Sequence, residues 1–179
     1  MPIYVGGIEI ADKQVFEEMQ YQDNADSAKQ ACFLAAQSLV VRQLLLNTAY
    51  KQKIIAEFAD KPLADITSSE EEQMIDALID QSVSVPEAGE DVCKRYYENN
   101  LSKFSDKKLG EVLPFEQVAG HIEEYLSAQS LMNGIREFIQ VLAANTRIRG
   151  FDFKDPEAMM VDLEGLSHTG HLDIRLTDG

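Results

Sequence analysis

Residues 27–50 constrain this chain more than any other stretch. Ala28, Ala31, Cys32, Ala35, Leu39, Leu46 and Ala49 recur at helical spacing, and Leu34, Val41, Leu44 and Leu45 widen the stripe. A helix carrying them is apolar over most of its circumference, as a central helix surrounded by other elements must be. Gln37, Ser38, Arg42 and Gln43 interrupt the run. It therefore reads as a buried helix of a soluble protein and not as a membrane span, which needs roughly 18 or more uncharged apolar residues. Ser27 is the expected N-cap. On this helix Cys32 is expected to serve as a small hydrophobe. Its spacing to Cys93 gives no argument for a disulfide.

The remaining segments are expected to pack around that helix. Residues 3–10, IYVGGIEI, are β-rich around Gly6-Gly7 and suggest a short strand or tight hairpin. Asp12 is the expected cap of a short helix carrying Val15, Phe16 and Met19. After the central helix, a further helix or helical extension should run through Ile54, Ile55 and Phe58 and break near Pro62. Thr67-Ser68-Ser69 followed by Glu70-Glu71-Glu72 marks the start of another helix, because hydroxyls cap and carboxylates favour the positive end of the dipole. Met74, Ile75, Leu78, Ile79 and Val83 supply its apolar face, and Pro86 closes the segment. Residues 87–100 predict a short helix with Val92, Tyr96 and Tyr97, whereas 101–112 show no sustained period and read as a connection. Pro114 should open the longest helix, reaching about Asn145 on a three-and-four spacing from Phe115 to Leu142. Residues 146–153 alternate like a strand, and pairing with 3–10 is the economical arrangement. The tail, 154–179, is either a strand over 168–175 or disordered. The expected fold class is mainly α: a helical bundle with a small β element pairing the N-terminal and C-terminal segments.

Charge narrows the partners. The net charge is −15, and so acidic a surface repels phosphate backbones and anionic lipid, so neither nucleic acid nor membrane insertion is expected. The N-terminus, MPIYVGGIEI, lacks a basic region followed by an apolar one. No signal peptide is visible, and a cytoplasmic location is expected, or a periplasmic one for a mature chain.

Catalytic and metal-binding patterns are missing. His168 and His171 form half of a metal-site spacing, but no cysteine or further histidine pair completes it. His121 reads as a partly exposed helical histidine, and Glu70, Glu71 and Glu72 as helix-capping acids facing water. No GxSxG, P-loop, GxGxxG or HExxH motif occurs. No cofactor and no catalytic residue is expected.

Several short blocks, in order, resemble parvulin-type peptidyl-prolyl isomerases of the SurA, PpiC and NifM type. They are Val5-Gly6-Gly7-Ile8-Glu9-Ile10 with the helix Phe16-Glu17-Glu18-Met19-Gln20; the helix ending Leu39-Val40-Val41-Arg42-Gln43-Leu44-Leu45; Ser84-Val85-Pro86-Glu87 with Cys93-Lys94-Arg95-Tyr96-Tyr97-Glu98-Asn99-Asn100, Lys103 and Phe104; and Leu113-Pro114-Phe115-Glu116-Gln117-Val118 with Ile122 and Tyr125-Leu126. In that family the YYxxNxxxF stretch leads into the isomerase domain, and the last block follows it. Here only residues 105–112 intervene, far fewer than the roughly 90–100 such a domain needs to bury a core. The paired histidines of the family's active site have no counterpart either. The resemblance implies an N-terminal helical chaperone-like part over 1–104, a junction at 105–112, and a long helix and strand over 113–153 completing the same SurA N-domain-like bundle, with 154–179 as a tail.

By the same resemblance the chain binds unfolded or maturing polypeptide clients without isomerising them. Chaperones use exposed apolar and aromatic surface. The candidates are Phe16, Met19, Tyr21, Tyr96, Tyr97, Phe104 and Met132; Phe58, Met74 and Phe138 belong to the same wider set, most of which must be core. Two alternatives accompany this expectation. One is a structural or dimerisation module, domain-swapped through the two long helices as a homodimer. The other is a maturation factor dedicated to one metalloenzyme.

Overall fold

A computed structural model describes residues 2–105 and 110–153. The described protein is mainly helical, with five α-helices and a three-stranded antiparallel sheet. In chain order the elements are β1 (Ile3–Val5), β2 (Ile8–Ile10), α1 (Asp12–Glu18), α2 (Ala28–Lys51), α3 (Ser68–Ser82), α4 (Glu90–Asn99), α5 (Phe115–Asn145) and β3 (Ile148–Arg149). Short 3-10 turns lie at Met19–Tyr21, Ala56–Phe58, Leu63–Asp65 and Leu101–Phe104. The chain divides into two compact units, one from residues 1–82 and 135–179 and the other from residues 83–134. Residues 154–179, and with them His168, His171 and the tail strand expected over 168–175, lie outside the described residues.

In the first unit, β1 and β2 form a hairpin with Ile3 opposite Ile10 and Val5 opposite Ile8. The two-residue turn is Gly6-Gly7, with φ of 59° and 91°. Positive φ at both positions is what a type I′ turn requires, and glycine takes it without steric cost. The sheet order is β2-β1-β3, so the expected pairing of N- and C-terminal segments occurs, with Val5 opposite Ile148 and Tyr4 opposite Arg149. Tyr4 stands between Glu9 and Arg149 on the outer face. Its hydroxyl donates to Glu9 Oε2 at 3.4 Å, and the Arg149 guanidinium lies 5.1 Å from its ring centre. Ile3, Val5 and Ile10 face inward and join Val15, Ala35, Ala36, Val40 and Leu44 in one buried cluster.

The long apolar helix behaves as its sequence dictates. Ser27 caps α2, its Oγ accepting from the Gln30 amide at 3.2 Å. Ala35, Val40, Val41, Leu44, Leu45, Leu46 and Ala49 are buried and, at 100° per residue, point to all sides of the helix. By length and composition α2 could also cross a membrane, yet 56% of that apolar window is buried within the protein. Gln37 is buried with them at 2% exposure, and its amide nitrogen finds no acceptor among the described residues. Such a group costs about 1–3 kcal/mol locally. Asn47 fastens the hairpin to the helix by donating from Nδ2 to the Val5 carbonyl at 3.1 Å.

Four local expectations are corrected. The helix does not extend through Ile54 and Ile55 toward Phe58: Lys53 adopts φ 51°, the Ile54 amide donates to the Ala49 carbonyl, and the Lys53 amide donates to that of Tyr50. This is a Schellman stop, usually made by glycine, so a lysine there gives no sequence signal. Asp12 is not the cap of α1; Ala11 occupies that position, and the Gln14 side chain accepts from the Ala11 amide at 2.8 Å. Cys32 is exposed, because the first turns of α2 run ahead of the buried cluster, and Cys93 is the buried thiol. Residues 101–112 are not merely a connection, since they include a 3-10 turn and the antiparallel bridge of Ser105 with Val112.

The start of α3 carries the strongest polar cluster. Thr67 and Glu70 form a reciprocal capping box: the Thr67 amide donates to Glu70 Oε2 at 2.7 Å, and the Glu70 amide to Thr67 Oγ1 at 3.4 Å. Lys61 Nζ donates to both Glu70 carboxylate oxygens, at 2.8 and 2.6 Å. A second ion pair, Arg42 with Glu71 at 2.6 Å, ties α3 to α2. The Lys61 hydrogen bonds, followed by those from Thr67, lower the Glu70 pKa from 4.5 to about 2. A depressed folded value means that this carboxylate favours folding above its ordinary pKa and ceases to do so as pH falls through the folded one. The stability difference between wild type and Glu70→Gln should therefore be constant near neutrality, shrink below pH 4.5 and vanish near pH 2. Urea titrations at stepped pH measure it, and a difference unchanged down to the lower limit would remove this account.

The second unit is built from α4 and the first part of α5. Cys93, Val118 and Ile122 form its buried centre, with Tyr96, Tyr97, Phe104, Leu113, Phe115 and Leu126 packed against them. Glu90 and Lys94 pair one turn apart at 2.6 Å on the exposed face of α4.

Candidate functional site

The aromatic candidates fall into two groups, one on each unit. On the first unit, Phe16 sits on α1 and Tyr21 on the 3-10 turn after it. They are 75% and 50% exposed, whereas Met19 between them turns inward and packs against the buried cluster. An amphipathic segment explains the split: Val15 and Met19 supply the inner face, and Phe16 falls outside it. Lys13 and Glu17 form an exposed i,i+4 pair on the same helix, at 3.5 Å.

On the second unit, Tyr96, Tyr97 and Phe104 come together. The Phe104 ring lies 6.3 Å from Tyr96 and 5.3 Å from Tyr97. Two rings not singled out from the sequence as site residues complete the group: Tyr125, 5.6 Å from Tyr96, and Phe115, 5.6 Å from Tyr97. The signal was available, since Phe115, Val118, Ile122 and Tyr125 share one face of α5 at three-and-four spacing. Lysines lie over two of these rings, Lys103 over Tyr96 at 5.5 Å and Lys94 over Phe115 at 5.8 Å. Lys103 also donates to the Tyr96 hydroxyl at 3.2 Å. Tyr125 is 39% exposed. Met132 is half-buried on α5 and in neither group. Phe58 and Met74 are core residues.

The cluster holds the two sides of the 105–112 junction together. Tyr97 donates from its hydroxyl to the Leu113 carbonyl at 2.6 Å, and the Leu113 amide donates to the Phe104 carbonyl at 2.9 Å. With the Ser105–Val112 bridge, these bonds bring the chain leaving Phe104 directly beside the chain entering Leu113.

No match is found. Comparisons with protein-family models, with curated proteins and with solved structures return none.

His121 is exposed on α5. Among the described residues no group of three or more His, Cys, Asp or Glu side chains could hold a metal ion. The strongly shifted carboxylate, Glu70, is accounted for by its cap and its lysine. Among the described residues the exposed large apolar side chains are Phe16, Tyr21 and Val141 on one unit, and Val92, Leu101, Val112 and Tyr125 on the other.

Proposed function

We propose that the chain is a client-binding module of the parvulin isomerase type, capturing unfolded or immature polypeptides without isomerising their prolines. The observation that carries this reading is the exposure of Phe16, at 75%, with Tyr21 also exposed shortly after it in the chain. A solvent-facing phenylalanine contributes nothing to the core and gains only when an apolar partner covers it. The junction supports the family part of the proposal. A domain inserted between Phe104 and Leu113 needs closely spaced chain ends, and Leu113 is hydrogen-bonded to Phe104. The mainly helical architecture, closed by a strand from each end of the described chain, is compatible with a SurA N-domain-like bundle.

The test is aggregation of a chemically denatured model protein in the presence of the full chain. Wild type in several-fold excess should suppress light scattering. Phe16→Ser should weaken that suppression about tenfold in the concentration required, as loss of one well-packed aromatic contact implies, with an unchanged circular dichroism spectrum. Proline isomerisation of a model peptide should stay at the uncatalysed rate. Absence of suppression would remove the client-binding reading, and clear isomerase activity would remove the account of the missing domain.

A further inference from the structure

Acidic side chains outnumber basic ones 31 to 16 in this chain, and Lys13, Lys53, Lys61 and Lys94 each meet a carboxylate. Lys103 is placed differently. It is exposed, and among the described residues its Nζ donates to a phenol, the Tyr96 hydroxyl, at 3.2 Å, with no carboxylate paired to it. An ammonium has three donors. One that is oriented by a neutral oxygen keeps its full charge, and two of its donors, for a group outside the chain.

Apolar surface lies beside that charge. The Tyr96 ring stands 5.6 Å from that of Tyr125, which is exposed on α5. Val92, also exposed, occupies the same face of α4 one turn before Tyr96. Both rings are held in place: Tyr96 meets Phe104 edge-on at 6.3 Å, and the Tyr125 hydroxyl accepts from Gln129 Nε2 at 3.4 Å. A surface ordered beforehand loses little conformational freedom when it is covered. All of these residues belong to the second unit.

Together these features define a partner with one carboxylate for Lys103 and an apolar side chain beside it for Tyr125 and Val92. The chain's net charge of −15 narrows it further. A nucleic acid brings a phosphate at every step and is repelled along its length. A peptide with a single acid feels that repulsion once, and beyond about 8 Å physiological salt screens it, which leaves the contact pair. We propose that Val92, Tyr96, Lys103 and Tyr125 form a docking surface for a sparsely charged polypeptide segment in which one Asp or Glu adjoins an aromatic or branched apolar residue. The surface lies on the other unit from Phe16 and Tyr21, and it does not rest on the capture of unfolded clients.

The chain has no tryptophan, so a capped glycine–serine peptide with one Trp followed by one Asp reports its own binding to the full-length protein. Its emission should shift to the blue as protein is added. The same peptide with Asn in place of Asp should bind about fivefold more weakly, the size of a well-placed surface ion pair. Lys103→Gln should remove that preference and leave the affinity of the Asn peptide unchanged, whereas Tyr125→Ser should weaken both peptides several-fold. Both residues lie outside the buried centre of Cys93, Val118 and Ile122, and unchanged circular dichroism spectra verify that the variants fold. Phe16→Ser should alter neither affinity. Equal binding of the two peptides would overturn the proposal. So would the absence of any emission shift at millimolar protein, or a preference for Asp that survives Lys103→Gln. Loss of binding in Phe16→Ser would move the peptide to the first unit, and displacement by an equimolar oligothymidylate would assign the surface to nucleic acid; either result overturns it. Since no denatured protein takes part, a chain that binds the peptide but suppresses no aggregation keeps the docking surface and loses the client reading; suppression without peptide binding does the reverse.

Discussion

Leu44→Ala should destabilise the first unit by about 2–5 kcal/mol, the range for deleting a fully enclosed leucine side chain where the cavity cannot collapse. Leu44 is 1% exposed on α2 and joins Val5, Ile10, Val15 and Val40 in one cluster. That cluster draws together the hairpin, α1 and α2. The site cannot relax easily, because buried residues surround α2 on every side and any inward shift of one neighbour opens a gap at another. Urea denaturation followed by far-ultraviolet circular dichroism measures the effect, as a lowered midpoint at unchanged slope. A cost below about 1 kcal/mol would mean that α2 is not the centre of that unit.

The second large effect is expected at Gly150, which closes the sheet. Its φ is 80°, and a Cβ built there would stand 2.6 Å from the Pro2 carbonyl oxygen and 3.3 Å from the Ile3 Cα. Gly150→Ala must either move β3 off β1 or distort the chain ahead of Ile3. Backbone strain alone costs about 1–3 kcal/mol at such a position, and contact with main-chain atoms adds to it. Gly7→Ala is the internal control: φ is 91° there, but the added carbon meets nothing within 4 Å. Gly150→Ala should therefore cost clearly more than Gly7→Ala, and it should speed hydrogen exchange at the Gly6 amide, which donates to the Arg147 carbonyl at 3.0 Å. Equal costs for the two variants would sink the argument from close approach.

These two positions also show what could be read from the sequence. Leu44 belonged to a helix whose apolar side chains point in all directions, and such a pattern has few solutions other than burial at the centre. The caps at Ser27 and Thr67, and Pro114 ahead of α5, were legible because each puts a hydroxyl, a carboxylate or a missing amide where a helix start needs one. The pairing of β3 with β1 was legible because alternating apolar segments were few. Lys53 was not legible, since its left-handed conformation is imposed by the Schellman bonds of Ile54 and of Lys53 itself and not by its side chain. Gln14 accepting from Ala11 is likewise a cap delivered from inside the helix, which a search for Asp or Ser at the boundary overlooks. Of the candidate surface, the sequence named the residues but not their partition: Met19 is partly covered while Phe16 and Tyr21 are exposed, and Tyr125 and Phe115 enter the Tyr96–Tyr97–Phe104 cluster from the next helix, α5. Periodicity assigns a residue to a face, and only packing decides which faces are covered.

The order of strands has a consequence for how the protein is made. Val5 pairs with Ile148, and residues 83–134 form a compact unit of their own within the chain that separates them. A growing polypeptide can therefore assemble its middle while its beginning still waits for a partner. During synthesis the hairpin, marginal on its own, can pack its inner face on α1 and α2 once they emerge, but β1 keeps an open edge until Ile148 and Arg149 leave the ribosome. Through most of its own translation the nascent chain is thus itself an immature polypeptide with an unpaired strand edge, a condition in which folding intermediates are prone to aggregate.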